Sequence, residues 1–347
     1  MMSFGPVTLT STLCKLMEHI VARRVRGCIE NKLQLQQAGF RQARSTLDTL
    51  MQVKSAVRRR RDGDRKAAVF IGYARAFDSV DHGCVVKALL SFGVEKHLVA
   101  WIACFLKERT AQVRVNNMLS EDIGLTCGVP QGSVLGPLPF IFTVDSLSRR
   151  LNCIPGLQHG FFADDLAIVC TSADLSEIQH TIQQGLDSIT SWSAECRMEV
   201  SAEKTEYTPF GARETNLLSL NVGEAVLKEE RAPKLLGLTV QPRKGLSKHA
   251  PSMKSAANTR LTQLRQAASP EWGPDREKLR AFYLALVQDK MCYGVASWWF
   301  DTSLSGRERL EKVQAQAAHI VAGIPKAADR EDALRKARLK PINEVAH

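Results

Sequence analysis

The chain has 347 residues, enough for a sizeable hydrophobic core and, by length alone, for about two domains. Its 44% hydrophobic and 24% charged residues are ordinary for a globular protein, and no apolar run approaches the roughly 18 residues of a membrane-spanning helix. The net charge of +11 favours a polyanion such as nucleic acid as a partner.

The positive charge is concentrated at the two ends of the chain. Residues 1–66 hold 14 Lys and Arg against 5 Asp and Glu, residues 67–240 hold 14 against 20, and residues 241–347 hold 19 against 11. An acidic middle between basic ends suits a catalytic centre that collects metal ions between surfaces that bind a polyanion. The alternative is that each basic segment is only a solvated face.

Nine cysteines are scattered without Cys-x-x-Cys pairs or zinc-ligand spacing, and the N-terminus lacks the regions of a signal peptide. We therefore expect an intracellular protein with reduced thiols and no membrane contact.

An amphipathic helix is predicted at residues 11–26, capped by Thr10 or Ser11. We expect the side chains of its apolar face to pack inward, namely Leu13, Leu16, Met17, Ile20 and Val21.

A loop with an internal glycine follows at residues 37–41, and a second helix begins near Ser45. That helix ends in four arginines at residues 58–61, which suit a phosphate contact, a nuclear signal or simply a helix end favoured by the dipole.

Residues 67–71 predict a short buried strand, and the helix after it is capped by Asp81. A further helix covers about residues 97–106, and residues 111–115 alternate as a half-exposed strand that ends in an Asn116-Asn117 turn.

Residues 127–137 contain three glycines and two prolines, which fix an unusual loop path. Such a loop either lets a base or phosphate approach the backbone closely or is an ordinary structural loop. Ser133 is placed to cap the helix at residues 138–150.

Two apolar runs meet at Asp164 and Asp165, which predicts a tight hairpin with paired carboxylates at its tip. Adjacent like charges in apolar surroundings are unfavourable, and a divalent cation offsets that cost. The sequence therefore suggests a metal site for phosphoryl or nucleotidyl transfer. The alternative is a solvated turn with two exposed acids.

The later elements extend the pattern toward a helical, basic C-terminal region. They are a helix at 175–196 capped by Asp174, a loop at 202–206, a strand at 207–210, a strand or hairpin at 233–240, and helices at 275–293 and 305–323.

In combination these motifs resemble the reverse transcriptases of non-LTR retrotransposons, and in wording they are closest to the ingi-type elements of trypanosomatids. The motifs are Tyr73-x-x-Ala76-Phe77-Asp78, Gly128-Val129-Pro130-Gln131-Gly132-Ser133, Phe162-Ala163-Asp164-Asp165, the loop around Lys204, and Leu235-Leu236-Gly237. The likeness also includes residues 6–11 and 37–41 and covers about residues 6–340.

The resemblance implies an α+β right-hand polymerase fold with fingers, a palm built on an antiparallel sheet, and a helical thumb. Partial fingers would span 1–66, the palm with remaining fingers elements 67–240, the thumb 241–300, and a helical extension 301–347.

The implied reaction copies an RNA template by adding deoxynucleoside triphosphates to a DNA primer, with two Mg²⁺ ions or with Mn²⁺. The family's site residues match these positions: Asp164 and Asp165 as metal ligands, Lys204 as the acid for pyrophosphate, Arg41, Tyr73, Phe77, Gln131 and Gly132 near the nucleotide, and Pro130, Leu236 and Gly237 near primer or template.

One departure from the family concerns the third metal-binding Asp, whose position is Gly72 here. We expect loss of that carboxylate to slow catalysis on the order of a thousandfold, and Asp78 to point elsewhere rather than replace it. Gly72→Asp should then restore activity. Pro139 near a helix start and an N-terminus inside the fingers also suggest a truncated, decayed copy.

The sequence leaves three hypotheses: an active reverse transcriptase, an inactive remnant that still binds nucleic acid, and a palm-like nucleotide cyclase or unrelated α/β protein. The family's chemistry suggests a nuclear location, although no segment of the sequence proves it, and the sequence leaves protein partners open.

Overall fold

The computed structural model describes residues 8–58, 64–210, 218–240, 249–268 and 273–346. Packing divides the chain into two compact units, Met1–Glu230 and Arg231–His347. The finer limits of the fingers, palm and thumb segments stay predictions.

The first unit combines helices with a central sheet. Its helices are α1 (Thr12–Ile29), α2 (Thr46–Arg58), α3 (Ala76–Ser79), α4 (His82–Ser91), α5 (Lys96–Leu106), α6 (Pro137–Asn152) and α7 (Leu175–Glu195). Its strands are β1 (Arg65–Ile71), β2 (Tyr73–Ala74), β3 (Arg109–Ala111), β4 (Arg114–Val115), β5 (Met118–Leu119), β6 (Ile123–Leu125), β7 (Leu157–Phe162), β8 (Asp165–Ser172), β9 (Glu199–Val200), β10 (Glu206–Phe210), β11 (Asn221–Val222), β12 (Ala225–Val226) and β13 (Lys228–Glu229).

The central sheet has the strand order β13-β10-β1-β8-β7. Strand β1 pairs antiparallel with β8 and β10, β8 pairs antiparallel with β7, and the short β13 runs parallel to β10. Ala68 and Val69 point to opposite faces of β1, yet both are fully buried because helices α2 and α7 pack against this sheet. This two-sided burial explains the continuous apolar runs in the sequence.

Most predicted caps and turns are present. Ser11 and Asp81 accept hydrogen bonds from the backbone N–H groups of Cys14 and Cys84, at 3.2 and 3.1 Å. Asn116 and Asn117 both have positive φ and turn the β4–β5 hairpin. Helix α6 begins at Pro137, so Pro139 lies in its first turn, where proline is tolerated.

The prediction for the face that α1 buries was wrong. Leu13 is 77% and Leu16 58% exposed, Met17 and Ile20 are exposed as well, and only Val21 of that predicted set is buried. The buried face is instead Glu18, Val21, Ala22, Val25 and Ile29. Each set repeats with helical spacing, and the fold buries the set that includes a carboxylate with a backbone partner.

Two sequence features fall partly outside the described residues. These are the arginine run, described only to Arg58, and the motif at residues 6–11, described from Thr8 onward. Along the parts of the chain that the structure describes, no helix has the length and apolar character needed to cross a membrane.

The second unit is largely helical. Its elements are β14 (Lys234–Leu235), β15 (Leu238–Thr239), α8 (His249–Ala267), α9 (Arg276–Phe282), α10 (Asp289–Met291), α11 (Val295–Trp298), α12 (Leu304–Ala322), α13 (Arg330–Lys336) and α14 (Ile342–Val345). A π-helical segment, Tyr283–Gln288, joins α9 to α10 within the helix predicted at residues 275–293. Trp298, Trp299 and Tyr283 are fully buried in this unit.

Candidate active site

The tip of the apolar hairpin is a two-residue turn between β7 and β8. Phe162 pairs with Asp165, so Ala163 and Asp164 form the turn. Ala163 has a φ of 58°, a left-handed conformation that costs a residue with a Cβ on the order of 1 kcal/mol. Contacts from outside the hairpin must therefore stabilise this turn.

Gln37 supplies those contacts. Its side chain is fully buried, and Oε1 accepts hydrogen bonds from the backbone N–H groups of Gly39 at 2.7 Å and of Ala163 at 3.1 Å. Its Nε2 donates to the Ala163 carbonyl at 3.3 Å. A Cβ on Gly39 would lie 2.2 Å from the Ala163 nitrogen, so only glycine allows the loop this close. The predicted loop at residues 37–41 is thus the support of the acidic turn.

The strand register brings the carboxylates to the end of β1. Leu166 of β8 lies opposite Ile71 of β1. Continuing the same antiparallel register by one residue sets Asp165 opposite Gly72. The paired acids and the position of the missing third acid therefore meet at one edge of the sheet, although nearly a hundred residues separate them in sequence.

Lys204 lies at the same edge. The Gly72 carbonyl accepts a hydrogen bond from the backbone N–H of Ser201 at 2.8 Å, and the Gly72 N–H donates to the Thr205 hydroxyl at 3.3 Å. This turn presses against Gly72 so closely that a Cβ there would lie 2.5 Å from the Lys204 Cβ. The positive charge of Lys204 also acts on Asp164.

The surroundings disfavour the negative charge of both acids. Removal of water raises the pKa of Asp164, and the Lys204 ammonium partly opposes that increase. Removal of water, together with the adjacent Asp164 carboxylate, raises the pKa of Asp165 to about 6. Asp165 nevertheless keeps a solvent-exposed side chain. A cation bound between them would stabilise the ionised form of both.

The donor set fits a divalent cation at two of the three expected positions. Mg²⁺ is typically bound by one or two protein carboxylates together with phosphate oxygens of the substrate. Asp164 and Asp165 can provide the two carboxylates. Gly72 offers no side-chain oxygen. Within the described ranges, no group of three or more His, Cys, Asp or Glu side chains is arranged to hold a metal ion. Asp78 is engaged elsewhere, since its Oδ1 accepts a hydrogen bond from Gln131 Nε2 at 3.0 Å.

Phe77 belongs to an aromatic cluster beside this edge. Its ring stacks on Phe140 with centroids 4.2 Å apart and planes at 22°, and the Phe40 ring meets it edge-on at 5.9 Å. Phe77 is half-buried, and Phe40 is 43% exposed. The cluster fixes the Phe77 ring while leaving part of its surface accessible.

The glycine-rich loop is attached directly to the Phe77 segment. Its Val129 N–H donates to the Phe77 carbonyl at 2.7 Å, in addition to the Gln131–Asp78 hydrogen bond. Gln131 is half-buried and Gly132 is exposed, whereas Pro130 is buried. Gln131 and Gly132 are therefore accessible from outside, and the Pro130 side chain serves packing.

Two of the predicted nucleotide contacts are placed differently. The Arg41 side chain is 6% exposed, and its guanidinium bonds Glu30 Oε1 at 2.8 Å and the carbonyls of Gln34, Gln37 and Glu30. Tyr73 is 6% exposed because the strand alternation turns its ring into the core. The predictions for both side chains are corrected accordingly: Arg41 stabilises the 37–41 loop, and Tyr73 is a core residue.

Glu18 is a positioning residue that the sequence did not reveal. It is fully buried, and its Oε2 accepts a hydrogen bond from the Leu135 N–H at 2.9 Å, which ties α1 to the glycine-rich loop. The available signal was a carboxylate in helical register with Val21, Ala22 and Val25.

In the second unit, Leu236 and Gly237 form the turn between β14 and β15. Leu236 has a φ of 49° and Gly237 a φ of 77°. The Tyr293 hydroxyl donates to the Leu236 carbonyl at 2.9 Å. Tyr293, which the sequence did not single out, thus supports the strained residue of this turn.

The comparisons with known proteins agree with one another. The family model described as "Reverse transcriptase (RNA-dependent DNA polymerase)" matches residues 2–240. The chain is 28% identical over 339 residues to "Probable RNA-directed DNA polymerase from transposon BS" and 24% identical over 339 residues to "RNA-directed DNA polymerase from mobile element jockey", both of Drosophila melanogaster. Each match covers 93% of this chain and 36% of the relative, so the chain spans about a third of the length of these relatives.

Solved structures show a similar fold. Telomerase from Candida tropicalis in complex with a TWJ fragment of telomeric RNA matches with a TM-score of 0.50 and 9% identity, over 94% of this chain and 57% of that one. Apo telomerase from the same organism also gives 0.50 and 9%, over 96% and 54%. The α+β right-hand polymerase fold predicted from the sequence is thereby confirmed.

Proposed function

The chain belongs to the reverse transcriptase (RNA-dependent DNA polymerase) family, and from that premise we propose that it is the polymerase domain of a non-LTR retrotransposon protein. The proposed reaction joins the 3′-hydroxyl of a DNA primer to a deoxynucleoside triphosphate on an RNA template and releases pyrophosphate. The observation that carries this proposal is the register that sets Asp164 and Asp165 at the end of β1, beside Lys204.

The two acids are the proposed ligands for Mg²⁺, or for Mn²⁺ in its place. When bound, the metal makes the primer hydroxyl a better nucleophile and stabilises charge on the triphosphate. The raised pKa of Asp165 supports this assignment, because a carboxylate deprived of water gains most from a cation. Lys204, whose charge acts on Asp164, is the proposed proton donor to pyrophosphate.

The remaining contacts follow from which surfaces are accessible. Phe77 is proposed to lie under the sugar of the incoming nucleotide, because Phe140 and Phe40 hold its ring in one orientation. Gln131 and Gly132 are proposed to contact the nucleotide and template. Leu236 and Gly237 are proposed to contact the primer through the turn that Tyr293 supports.

A second candidate function is binding of nucleic acid without synthesis. The observation that favours it is Gly72, which contributes no carboxylate and against which Lys204 packs. Loss of one electrostatic contribution of this kind lowers a rate on the order of a thousandfold. We therefore propose that this chain extends primers slowly while retaining affinity for nucleic acid.

Primer extension separates the two functions. The purified chain is given an RNA template annealed to a labelled DNA primer, all four deoxynucleotides, and Mg²⁺ or Mn²⁺. We expect slow extension that Asp164→Asn abolishes, while affinity for the duplex is unchanged. Extension that survives Asp164→Asn would contradict the proposed site, and no extension with either metal would leave the binding function.

Three finer assignments are also proposed. The wording of the motifs supports kinship with ingi-type elements of trypanosomatids, and retrotransposon chemistry supports a nuclear location. The family's name supports an RNA template as partner, and the positive N- and C-terminal segments support binding of a DNA primer. A phylogeny of the motifs and localisation of a tagged chain test the first two.

A further inference from the structure

Two cysteine side chains meet in the first unit, where α4 begins and α7 ends. Cys84 is the third residue of α4, and Cys196 directly follows α7 as its C-cap. Both are free thiols; Cys84 is half-buried and Cys196 is 3% exposed. Their side chains are hydrogen-bonded to each other. We call these two residues the α4–α7 thiol pair.

Backbone contacts hold the two chain segments together around this pair. The Asp81 N–H donates to the Cys196 carbonyl at 3.0 Å, and the Asp81 carboxylate accepts a hydrogen bond from the Cys84 N–H at 3.1 Å. The Cys84 thiol also donates to the carbonyl of Glu195, which belongs to the peptide leading into Cys196, at 3.4 Å. The thiols therefore meet because their backbones are fixed against each other.

The two thiols differ in their surroundings, which assigns them different chemical roles. Cys84 is partly open to solvent and lies in the first turn of a ten-residue helix, where backbone N–H groups stabilise a thiolate. Arg197 contacts the capping Asp81 carboxylate at 3.5 Å and offsets part of its opposing charge. Burial, followed by the neighbouring Cys84 thiol, raises the pKa of Cys196, so that this thiol stays protonated. An oxidant therefore meets Cys84 first.

A metal ion is the other partner that neighbouring thiols accept. A structural zinc site needs four ligands, which are Cys, His or acidic side chains. In the part of the chain that the structure describes, no group of three or more His, Cys, Asp or Glu side chains is placed to hold a metal ion. The pair therefore suits a bond between its own sulfurs.

We propose that Cys84 and Cys196 form a reversible disulfide when the chain meets a peroxide. The Cys84 thiolate attacks one oxygen of hydrogen peroxide, which gives a sulfenic acid and hydroxide, and the hydroxide takes up the proton that Cys84 lost. The Cys196 sulfur then bonds the Cys84 sulfur, and the sulfenic oxygen leaves as water. Two thiols thus lose two electrons and two protons while hydrogen peroxide becomes two molecules of water. Dithiothreitol reverses the reaction and is itself oxidised to a disulfide.

The disulfide would join two segments that lead to the candidate active site. Helix α4 follows the segment of Phe77, and Val200, four residues after Cys196, pairs with Tyr73 just before the turn that carries Lys204. The inference does not rest on the proposed function, because neither thiol takes part in the proposed reaction. Failure of primer extension therefore leaves it intact, and failure of the disulfide leaves the proposed synthesis intact.

Peptide mapping under non-reducing conditions tests the bond directly. The reduced full chain is treated with hydrogen peroxide, alkylated, and digested with trypsin and a glutamate-specific protease. Cys84 is then the one cysteine of residues 76–87, and Cys196 lies in residues 196–197. We expect a cross-link between these two peptides within single chains, which dithiothreitol removes. Its absence under peroxide that oxidises the exposed Cys104 would overturn the proposal.

Two serine variants test the order of the two steps. Cys196→Ser should stop at the sulfenic acid of Cys84, which dimedone labels, and Cys84→Ser should leave Cys196 as a thiol that alkylates only after unfolding. Dimedone on Cys196 in the second variant, or none on Cys84 in the first, would overturn the assigned roles. The cross-link in the wild type needs no variant, so a variant that fails to fold leaves the test of the bond in place.

Cys127→Ser is the matched control. Cys127 is half-buried like Cys84, and its thiol donates to the Asp78 carbonyl at 3.4 Å, as Cys84 does to that of Glu195. We expect this variant to form the cross-link at the wild-type yield, and Cys84 to be oxidised on the order of tenfold faster than Cys127 in the wild type. Equal rates, or bonding of Cys84 to several other cysteines, would mean unspecific oxidation and would overturn the proposal.

Thermal unfolding shows whether the native fold accommodates the bond. The disulfide closes a loop of about 110 residues, which restricts the unfolded chain. Oxidation should therefore raise the midpoint of thermal unfolding by roughly 5 °C or more, and the rise should vanish with dithiothreitol and in both serine variants of the pair. An unchanged or lower midpoint in the cross-linked chain would contradict a bond formed within the native arrangement.

Discussion

Two turns of the molecule each contain a non-glycine residue in a left-handed backbone conformation, and they differ in how strongly that residue is held. The β7–β8 turn in the first unit places Ala163 in a left-handed conformation, and the β14–β15 turn in the second unit does so with Leu236. In each, a polar side chain distant in sequence bonds the strained residue: Gln37 for Ala163 and Tyr293 for Leu236.

The difference lies in burial and in the number of bonds. Gln37 is fully buried and holds both the N–H and the carbonyl of Ala163, in a turn that extends from a five-stranded sheet. Tyr293 is 36% exposed and makes one bond to a two-stranded ribbon. The first turn is therefore held more rigidly, as the proposed metal ligands require, whereas the second, proposed to contact primer, is held by fewer bonds.

The largest expected effect comes from removing Gln37. Gln37→Ala leaves the Ala163 N–H and carbonyl unbonded and opens a cavity, so the free energy of unfolding should fall by about 2–4 kcal/mol. Urea unfolding measures this directly.

Gln36→Ala is the matched control for that variant. The Gln36 amide bonds Asn152 at 3.2 Å in an exposed contact, and its loss should cost below about 1 kcal/mol. Equal losses in the two variants would mean that Gln37 gives the first turn no special support.

Gly72 provides the next largest effect, and the structure alters what its replacement is expected to do. Any Cβ at this position lies 2.5 Å from the Lys204 Cβ and 3.1 Å from the Lys204 carbonyl oxygen, so the turn at residues 201–205 must shift. Gly72→Ala should therefore lower the free energy of unfolding by about 1–3 kcal/mol in thermal or urea unfolding.

Comparison of Gly72→Asp with Gly72→Ala isolates the carboxylate, because both variants carry the same clash. We expect primer extension by the Asp variant to exceed that of the Ala variant on the order of a hundredfold or more. Equal rates would show that the missing third carboxylate does not limit the rate of primer extension. They would contradict the expectation from the sequence that Gly72→Asp restores activity.

A smaller effect is the pH dependence that the first turn's acids introduce. The pKa of Asp165 is raised from 3.8 to about 6 in the folded chain, so the folded state holds a proton that the unfolded state has released. This stabilisation is complete below about pH 4 and lost as pH rises through 6. After allowance for solvent exposure, wild type should lose about 1 kcal/mol relative to Asp165→Asn across that window.

Addition of MgCl₂ at pH 7 tests whether a cation offsets that loss. It should raise the unfolding free energy of wild type more than that of Asp165→Asn, since the cation binds the folded state. Equal responses of the two chains would argue against Asp165 as a metal ligand.

The sequence predicted the features that depend on neighbouring residues. Adjacent acids between two apolar runs sufficed for the hairpin, and the run at residues 67–71 sufficed for the central strand. The family resemblance implied that the hairpin and the central strand meet at one edge of the sheet, and the strand register shows that they do. No local pattern could predict this meeting, because the paired strands are separated by many residues in sequence.

Prediction from the sequence failed for side chains whose residue pattern allows either of two environments. Helix α1 carries two apolar stripes, and periodicity does not tell which one is buried until the partner of Glu18, at Leu135, is known. Arg41 matched a nucleotide contact by position, yet Glu30 and three nearby carbonyls satisfy its guanidinium. Gln37 was overlooked because its bonds reach a turn more than a hundred residues away.

Tyr293→Phe should give the smallest effect and the clearest measure of the second turn. It removes one exposed hydrogen bond to the Leu236 carbonyl and leaves the aromatic ring in place, so the unfolding free energy should change by below about 1 kcal/mol. If the bond orients the turn toward a primer, the KM for primer–template should rise a few-fold, by roughly 1 kcal/mol of binding, while kcat stays constant. Tyr283→Phe is the control, because its buried hydroxyl meets Gln314 at 3.4 Å and should affect stability without affecting KM. A fall in kcat for Tyr293→Phe at constant KM would contradict this expectation. It would mean that the second turn, like the first, must be held rigid for the chemical step.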